Sequence, residues 1–473
     1  MRLKSDYLDQ IRINLYIMKY TLVGVALALS FVFVQCSNDD DNIVFVDNTP
    51  EEPVEVPSNE VLPTELIIPQ PPTVDLNPSL ISQGQDIFRN STFGDEVFWS
   101  GALELDKTIL GEDLDGRGPG VSPATALQLG LKVDANALNL ETVAAIQAGQ
   151  VDLTSPATTV ELLRQNAVVG VIGNFDEDGS LASVGINCAL CHSTVDDSFA
   201  PGIGSRLDGW ANRDLNVGAI IAATNVAPLA ALLQVSVEDA QTVLNNWGPG
   251  RFDGALLLDG RPANDQGLIP AAVIPSIFSL QGVNPVGYAG FSSLSQWINF
   301  VAVIELNAQG NYTDPRLADE ERFPVAVRSN AANRTAENDI FGPQAEALEE
   351  YILSLSAPEP DPARFDEVAA IRGQNIFNNK ADCVRCHAGN TFTDNVLRDP
   401  EEINIDGVLA NRFPSGQYRT TPLRGLLTKE TGGYFHDGRF QTLIDVINHY
   451  DDSFELELTD DEKSDLEQYL NTL

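Results

Sequence analysis

Histidine is scarce in this chain of 473 residues: four copies stand against 68 acidic and 28 basic side chains. Methionine is scarcer, and both copies, Met1 and Met18, lie at the N-terminal end. The body of the chain therefore has no thioether to offer. The shortage of basic residues leaves a formal net charge of −40, which excludes electrostatic binding to nucleic acid or to an anionic membrane face. Long apolar runs are also missing. The stretch Thr21–Val34, preceded by Lys19, is too short for a membrane span and fits the core of an export signal.

What is present is concentrated. Four of the five cysteines and two of the four histidines fall in two copies of one pattern, Cys188-Ala189-Leu190-Cys191-His192 and Cys383-Val384-Arg385-Cys386-His387. This is the spacing of covalent c-type haem attachment. On one helical turn the three reactive positions share a face, so two thiols bond the haem vinyl groups while the imidazole meets the iron. Zinc would have to join two motifs about 195 residues apart, beyond the usual spacing of zinc-site halves. A redox dithiol leaves the histidine after each motif unexplained. Two covalently bound haem c groups are the expected cofactors.

The remaining cysteine, Cys36, follows the apolar stretch and precedes Ser37, Asn38, Asp39, Asp40 and Asp41. This segment resembles an exported bacterial lipoprotein signal of the Bacteroidetes type. The resemblance implies a signal peptide over 1–35, lipidation of Cys36, and a body anchored in the cell envelope on the periplasmic side or outer membrane. Membrane contact would run only through that lipid, and an uncleaved anchor would place the body in the same compartment. Residues 36–77, acidic and rich in proline, read as an extended tether.

The rest divides in two. Gly84-Gln85-Asp86-Ile87-Phe88 is echoed by Gly373-Gln374-Asn375-Ile376-Phe377, and Leu348-Glu349-Glu350-Tyr351-Ile352 by Leu466-Glu467-Gln468-Tyr469-Leu470. The echoes bracket the two haem motifs in the same order. The predicted fold is mainly α: two tandem class I cytochrome c-like haem domains, 78–357 with long loop insertions and 358–473 compact. The proline-rich stretch Ala357–Pro362 separates them.

The second axial position of a c-type haem decides between electron transfer and chemistry. Without methionine, only His436 and His449 remain beyond the motifs, both after His387. Two histidines in one domain predict one filled iron and one open iron, the open one beyond His192. Ligation by tyrosine, lysine or a backbone amine is the alternative.

Residues Tyr418–Arg424, Gly433–Phe440, Thr442-Leu443 and His449-Tyr450 resemble the C-terminal signature of the bacterial dihaem cytochrome c peroxidase/MauG superfamily. The likeness covers most of the second domain. In the first it is confined to the haem motif and the segment Asn212-Arg213-Asp214-Leu215-Asn216 that follows it. The resemblance implies that His449, or neighbouring Tyr450, takes the sixth position of the second haem. It puts His436 and Arg419 around the haem edge, and an interdomain Ca2+ on Asn216 and the backbone of Thr431 and Gly433. It also implies an electron-carrying tryptophan between the haems, Trp297 first and Trp247 second, and a small soluble cytochrome or copper protein as donor. Glu305 is a candidate for the acid that helps to split an O–O bond. The expected activity is peroxide reduction at the first haem with electrons passed through the second. The enlarged first domain partly resembles the rubber oxygenase branch, so oxidation of an organic substrate is an alternative; a non-enzymatic electron-transfer cytochrome is another.

Overall fold

Asparagine and proline open the first long helix. Asn77 Oδ1 accepts from the Ser79 amide and Pro78 takes the first helical position, so α1 runs Pro78–Asn90. The computed structural model describes residues 65–262 and 271–473; the signal stretch, Cys36 and the first part of the expected tether lie outside the described residues. Four further helices frame the molecule: α2 (Ala345–Ser354), α3 (Glu367–Asn378), α4 (Leu443–Phe454) and α5 (Asp460–Leu470). The last two start on capping boxes, Thr442 with Asp445 and Thr459 with Glu462.

The sequence echoes become one clamp built twice. α1 packs on α2, and α3 on α5, through a glycine. A Cβ at Gly84 would collide with the Ala347 carbonyl and stand 2.7 Å from Tyr351 Cβ; at Gly373 it would collide with the Asp465 carbonyl and stand 2.9 Å from Tyr469 Cβ. One turn on, Phe88 meets Tyr351 with ring centroids 5.4 Å apart, and Phe377 meets Tyr469 at 5.2 Å. The register is the same in both pairs.

The expectation of a mainly α chain overlooked small ladders. Six two-stranded sheets are present among the described residues. The longest pairs Val171–Phe175 with Leu181–Ile186 and delivers the chain into the first haem motif. Its turn carries Gly179 at φ +85, the left-handed conformation that an Asp-Gly pair such as Asp178-Gly179 supplies.

Ile405, Leu409, Ala410, Phe413 and Tyr418 pack into the same core as Phe88, Phe291, Phe300 and Tyr351. The segment after the second haem motif thus completes the core of the region before it. A buried ion network adds to this seam: Arg412 bonds Asp253 and Asp259, each at 2.8 Å, all three side chains at most 5 % exposed.

Residues 65–77 do not stand off the body as a free tether. The Ile67 amide donates to Gln374 Oε1 at 3.1 Å and its carbonyl accepts from Gln374 Nε2. Arg424 bonds the Pro69 carbonyl, and the Val74 amide donates to Gln281 Oε1 at 3.2 Å. Leu66 and Ile68 cover the core around α3 and α5. Apolar residues between the prolines give this strap something to bury.

Candidate haem sites

Each Cys-x-x-Cys-His motif closes one turn. The His192 amide donates to the Cys188 carbonyl at 3.0 Å, and the His387 amide to the Cys383 carbonyl at 2.8 Å. That brings both thiols and the imidazole to one face. Around the first motif the backbone is tightly laid. Gly170 holds φ +78, and a Cβ there would fall on the Leu190 backbone, so only glycine fits. The Asn187 side chain donates to the Arg89 carbonyl at 2.9 Å and accepts from the Ala189 amide at 3.1 Å, tying the motif to α1.

Both motifs open onto cavities. Cys188, Cys191 and His192 line the first; Cys383, Cys386 and His387 line the second. The four cysteines are free thiols, and burial pushes Cys188, Cys191 and Cys383 up to about 12. A redox dithiol needs the opposite shift. His192 Nδ1 lies 3.1 Å from the Pro275 carbonyl and His387 Nδ1 lies 3.0 Å from the Phe392 carbonyl. Burial holds both imidazoles down at about 4, so they are neutral, with Nδ1–H spent on a carbonyl and Nε2 left as the donor to a metal. Two thiols, a neutral imidazole and a largely apolar wall fit a covalently held haem in each cavity.

The walls differ. The first cavity is lined by aliphatic and aromatic residues from the insertions, among them Phe98, Leu103, Leu105, Val121, Leu131 and Ile220. Its main acid is Glu305, at the end of a π-helical turn, Val301–Glu305, that continues the helix Leu294–Phe300; such turns are frequent at functional sites. Burial, with Asp253 adding to it, pushes the Glu305 carboxyl up to about 8. Asp253 is raised by burial to about 6, against the pull of Arg412.

The second cavity is polar at one end. Arg213, Arg419 and Lys429 line it together with Tyr418, Tyr434 and His436. Burial, with repulsion from Arg213 and Arg419, brings Lys429 down to about 7. On α4 the cavity wall is Leu443, Val446, Ile447, Tyr450 and Phe454, one helical face. His449 points off that face. Its Nε2 lies 3.2 Å from the Ile403 carbonyl, and its ring packs on Phe435 and Phe440. Of the two residues expected there, the one that α4 turns to the second cavity is Tyr450 and not His449. The apolar stripe carried that information: its spacing includes 450 and excludes 449.

The other expected residues fall as follows. His436 lines the second cavity, stacked on Tyr418 at 4.9 Å. It also lies close enough to Asp406 and Asp437 to share an ion with them, but Arg439 bridges both carboxylates. Arg419 donates from Nε to the Gly287 carbonyl at 3.1 Å. Trp297 and Trp247 both line the first cavity and neither reaches the second. The side chain common to both walls is Tyr288, held in place by the Arg419 amide donating to its carbonyl at 2.9 Å. An isolated Val-Gly-Tyr-Ala stretch in a loop gave no periodic signal for it.

The calcium set does not assemble. Asn216 Oδ1 accepts from the Ala219 amide at 3.1 Å, capping its own short helix. The Gly433 carbonyl faces Arg213, whose guanidinium nitrogen lies 3.4 Å away, and Thr431 is exposed. A guanidinium already stands where a second cation would have to sit.

No family model matches the chain. Curated relatives include the methylamine utilization protein MauG of Methylophilus methylotrophus, 33 % identical over 124 residues, covering 22 % of this chain and 36 % of that protein. MauG of Methylorubrum extorquens is 31 % identical over 147 residues, covering 26 % and 40 %. Hydrazine synthase subunit gamma of Kuenenia stuttgartiensis is 31 % identical over 141 residues, covering 22 % and 40 %. The chain spans about two fifths of the length of these relatives. They bear out the resemblance to the MauG superfamily read from the sequence.

Proposed function

We propose that this protein is a dihaem c-type oxidoreductase of cytochrome c peroxidase-like type. The observation that carries the reading is the pair of cavities, each with a Cys-x-x-Cys-His motif and a carbonyl-bound neutral imidazole, meeting at Tyr288. Cys188, Cys191 and His192 would hold the haem that supplies electrons to a peroxide O–O bond, and Cys383, Cys386 and His387 would hold the haem that takes them from a donor. The protein's own part is positional. Pro275 and Phe392 fix the two imidazoles. Glu305 stays protonated below about pH 8 and holds a proton at the first cavity, where reduction of H2O2 to two waters consumes two protons and two electrons. The apolar insertions keep water out. Tyr288 bridges the cavities in place of the expected tryptophan. Tyr450 lines the second cavity and would be the residue of α4 available to a haem held there, while the first cavity would leave its haem open to a small ligand.

The apolar first wall also favours a second reading, oxidation of an organic substrate at the same haem. Purified holoprotein decides. One high-spin and one low-spin haem, with peroxide consumed at the expense of a reduced small donor protein, supports the first reading. Oxygen-dependent loss of an apolar substrate without peroxide turnover supports the second. Two low-spin haems inert to peroxide and cyanide would reduce the protein to an electron carrier. The reading places it lipid-anchored in the cell envelope, with a small soluble cytochrome or copper protein as donor.

A further inference from the structure

Five basic side chains line the second cavity: Arg213, Arg385, Arg398, Arg419 and Lys429. Two are matched by carboxylates, Arg385 by Asp382 and Arg398 by Asp394 and Glu402. The other three have no carboxylate partner among the described residues. Arg213 is 6 % exposed and its Nε has no hydrogen-bond partner; Arg419 Nη1 is likewise buried and unpartnered. Lys429 lies within electrostatic reach of both Arg213 and Arg419, and the two arginines both act on Tyr288. Unmatched buried charge of one sign is strongly unfavourable, so this end of the cavity is built to receive anions.

We infer that Arg213, Arg419 and Lys429 form a carboxylate-binding end of the second cavity, which holds the two carboxylates of the haem on Cys383 and Cys386 toward Tyr288 and dispenses with an interdomain calcium ion. The inference rests on the dihaem reading. Calcium requires oxygen ligands, several of them anionic. Here the Gly433 carbonyl faces the Arg213 guanidinium, the Asn216 oxygen caps a helix, and Arg251 adds a second cation within electrostatic reach of Arg213. The positive charge that an ion would bring is already part of the chain.

The test begins with haem stoichiometry by the pyridine haemochrome method. Fewer than two haems per chain defeats the dihaem reading itself. With two present, EGTA followed by added CaCl2 leaves the visible spectrum, the thermal midpoint and the second haem's reduction potential unchanged. A shift on chelation that Ca2+ reverses overturns the inference. Arg213→Gln and Lys429→Gln each move the second haem to lower potential, because a cation beside its carboxylates is gone, while Arg213→Lys and Arg164→Gln, the latter removing a carboxylate-paired cation that lines neither cavity, stay near the wild-type value. Equal potentials in Arg213→Gln, Lys429→Gln and Arg164→Gln overturn it as well, and the chelation arm stands even where a variant fails to fold.

Discussion

The two cavities share a motif, a one-turn geometry, a carbonyl-bound imidazole and a largely apolar wall, yet the charged residues set into those walls differ. The first carries two acids, Glu305 and Asp253; the second carries five basic side chains and four tyrosines. On the dihaem reading the attachment motif would only hold a haem, and residues outside it would set the chemistry: the insertions at the first cavity, and Arg213, Tyr288 and the segment 418–454 at the second.

That contrast can be broken by removing one haem at a time. Cys188→Ser/Cys191→Ser is expected to abolish peroxide turnover completely and halve the haemochrome signal, keeping the low-spin haem. Cys383→Ser/Cys386→Ser is expected to keep the peroxide-sensitive haem and lose electron supply from the donor. Next in size is Glu305→Gln. Turnover is expected to fall about 10²–10⁴-fold. The sign with pH follows from a raised carboxyl: the protonated form is favoured in the fold, so the benefit is complete at low pH and is lost as pH rises through about 8. Wild-type rate should decline across that pH and the Gln variant should not. Arg412→Ala leaves Asp253 and Asp259 buried without their cation and is expected to cost about 3–5 kcal/mol, read as a lower urea midpoint. Tyr450→Phe is expected to alter the second haem's spectrum and leave the first untouched, while His449→Ala changes neither; a spectral change in His449→Ala alone would restore the histidine. The smallest effect tests the symmetry. Gly84→Ala and Gly373→Ala are each expected to destabilise by about 1–3 kcal/mol through overpacking, equally in thermal denaturation.

The clamps were legible because they depend on local pattern. The echo of Gly84 and Phe88 in Gly373 and Phe377 names the residues that touch Tyr351 and Tyr469. The haem motifs were legible for the same reason. Tyr450 was half legible: a helical stripe marks it, but the family resemblance put His449 ahead of it. Tyr288 and the cation cluster were not legible. Tyr288 sits in a loop, and Arg213 reaches Gly433 across 220 positions, so their meeting depends on how the insertions fold back. The seam at Arg412 was hidden likewise, since Asp253 and Asp259 lie in the long loop insertions of the first domain, more than 150 positions away.

The strap at 65–77 has a consequence in time. Its bonds to Gln374 and Arg424 join residues 307 and 355 positions apart. Closing such long loops carries the greatest entropic delay, so the strap is expected to settle after both haem regions have formed. The strap then acts as a seal applied at the end of maturation, and pulse-labelled hydrogen exchange at the Ile67 amide should show it protected last.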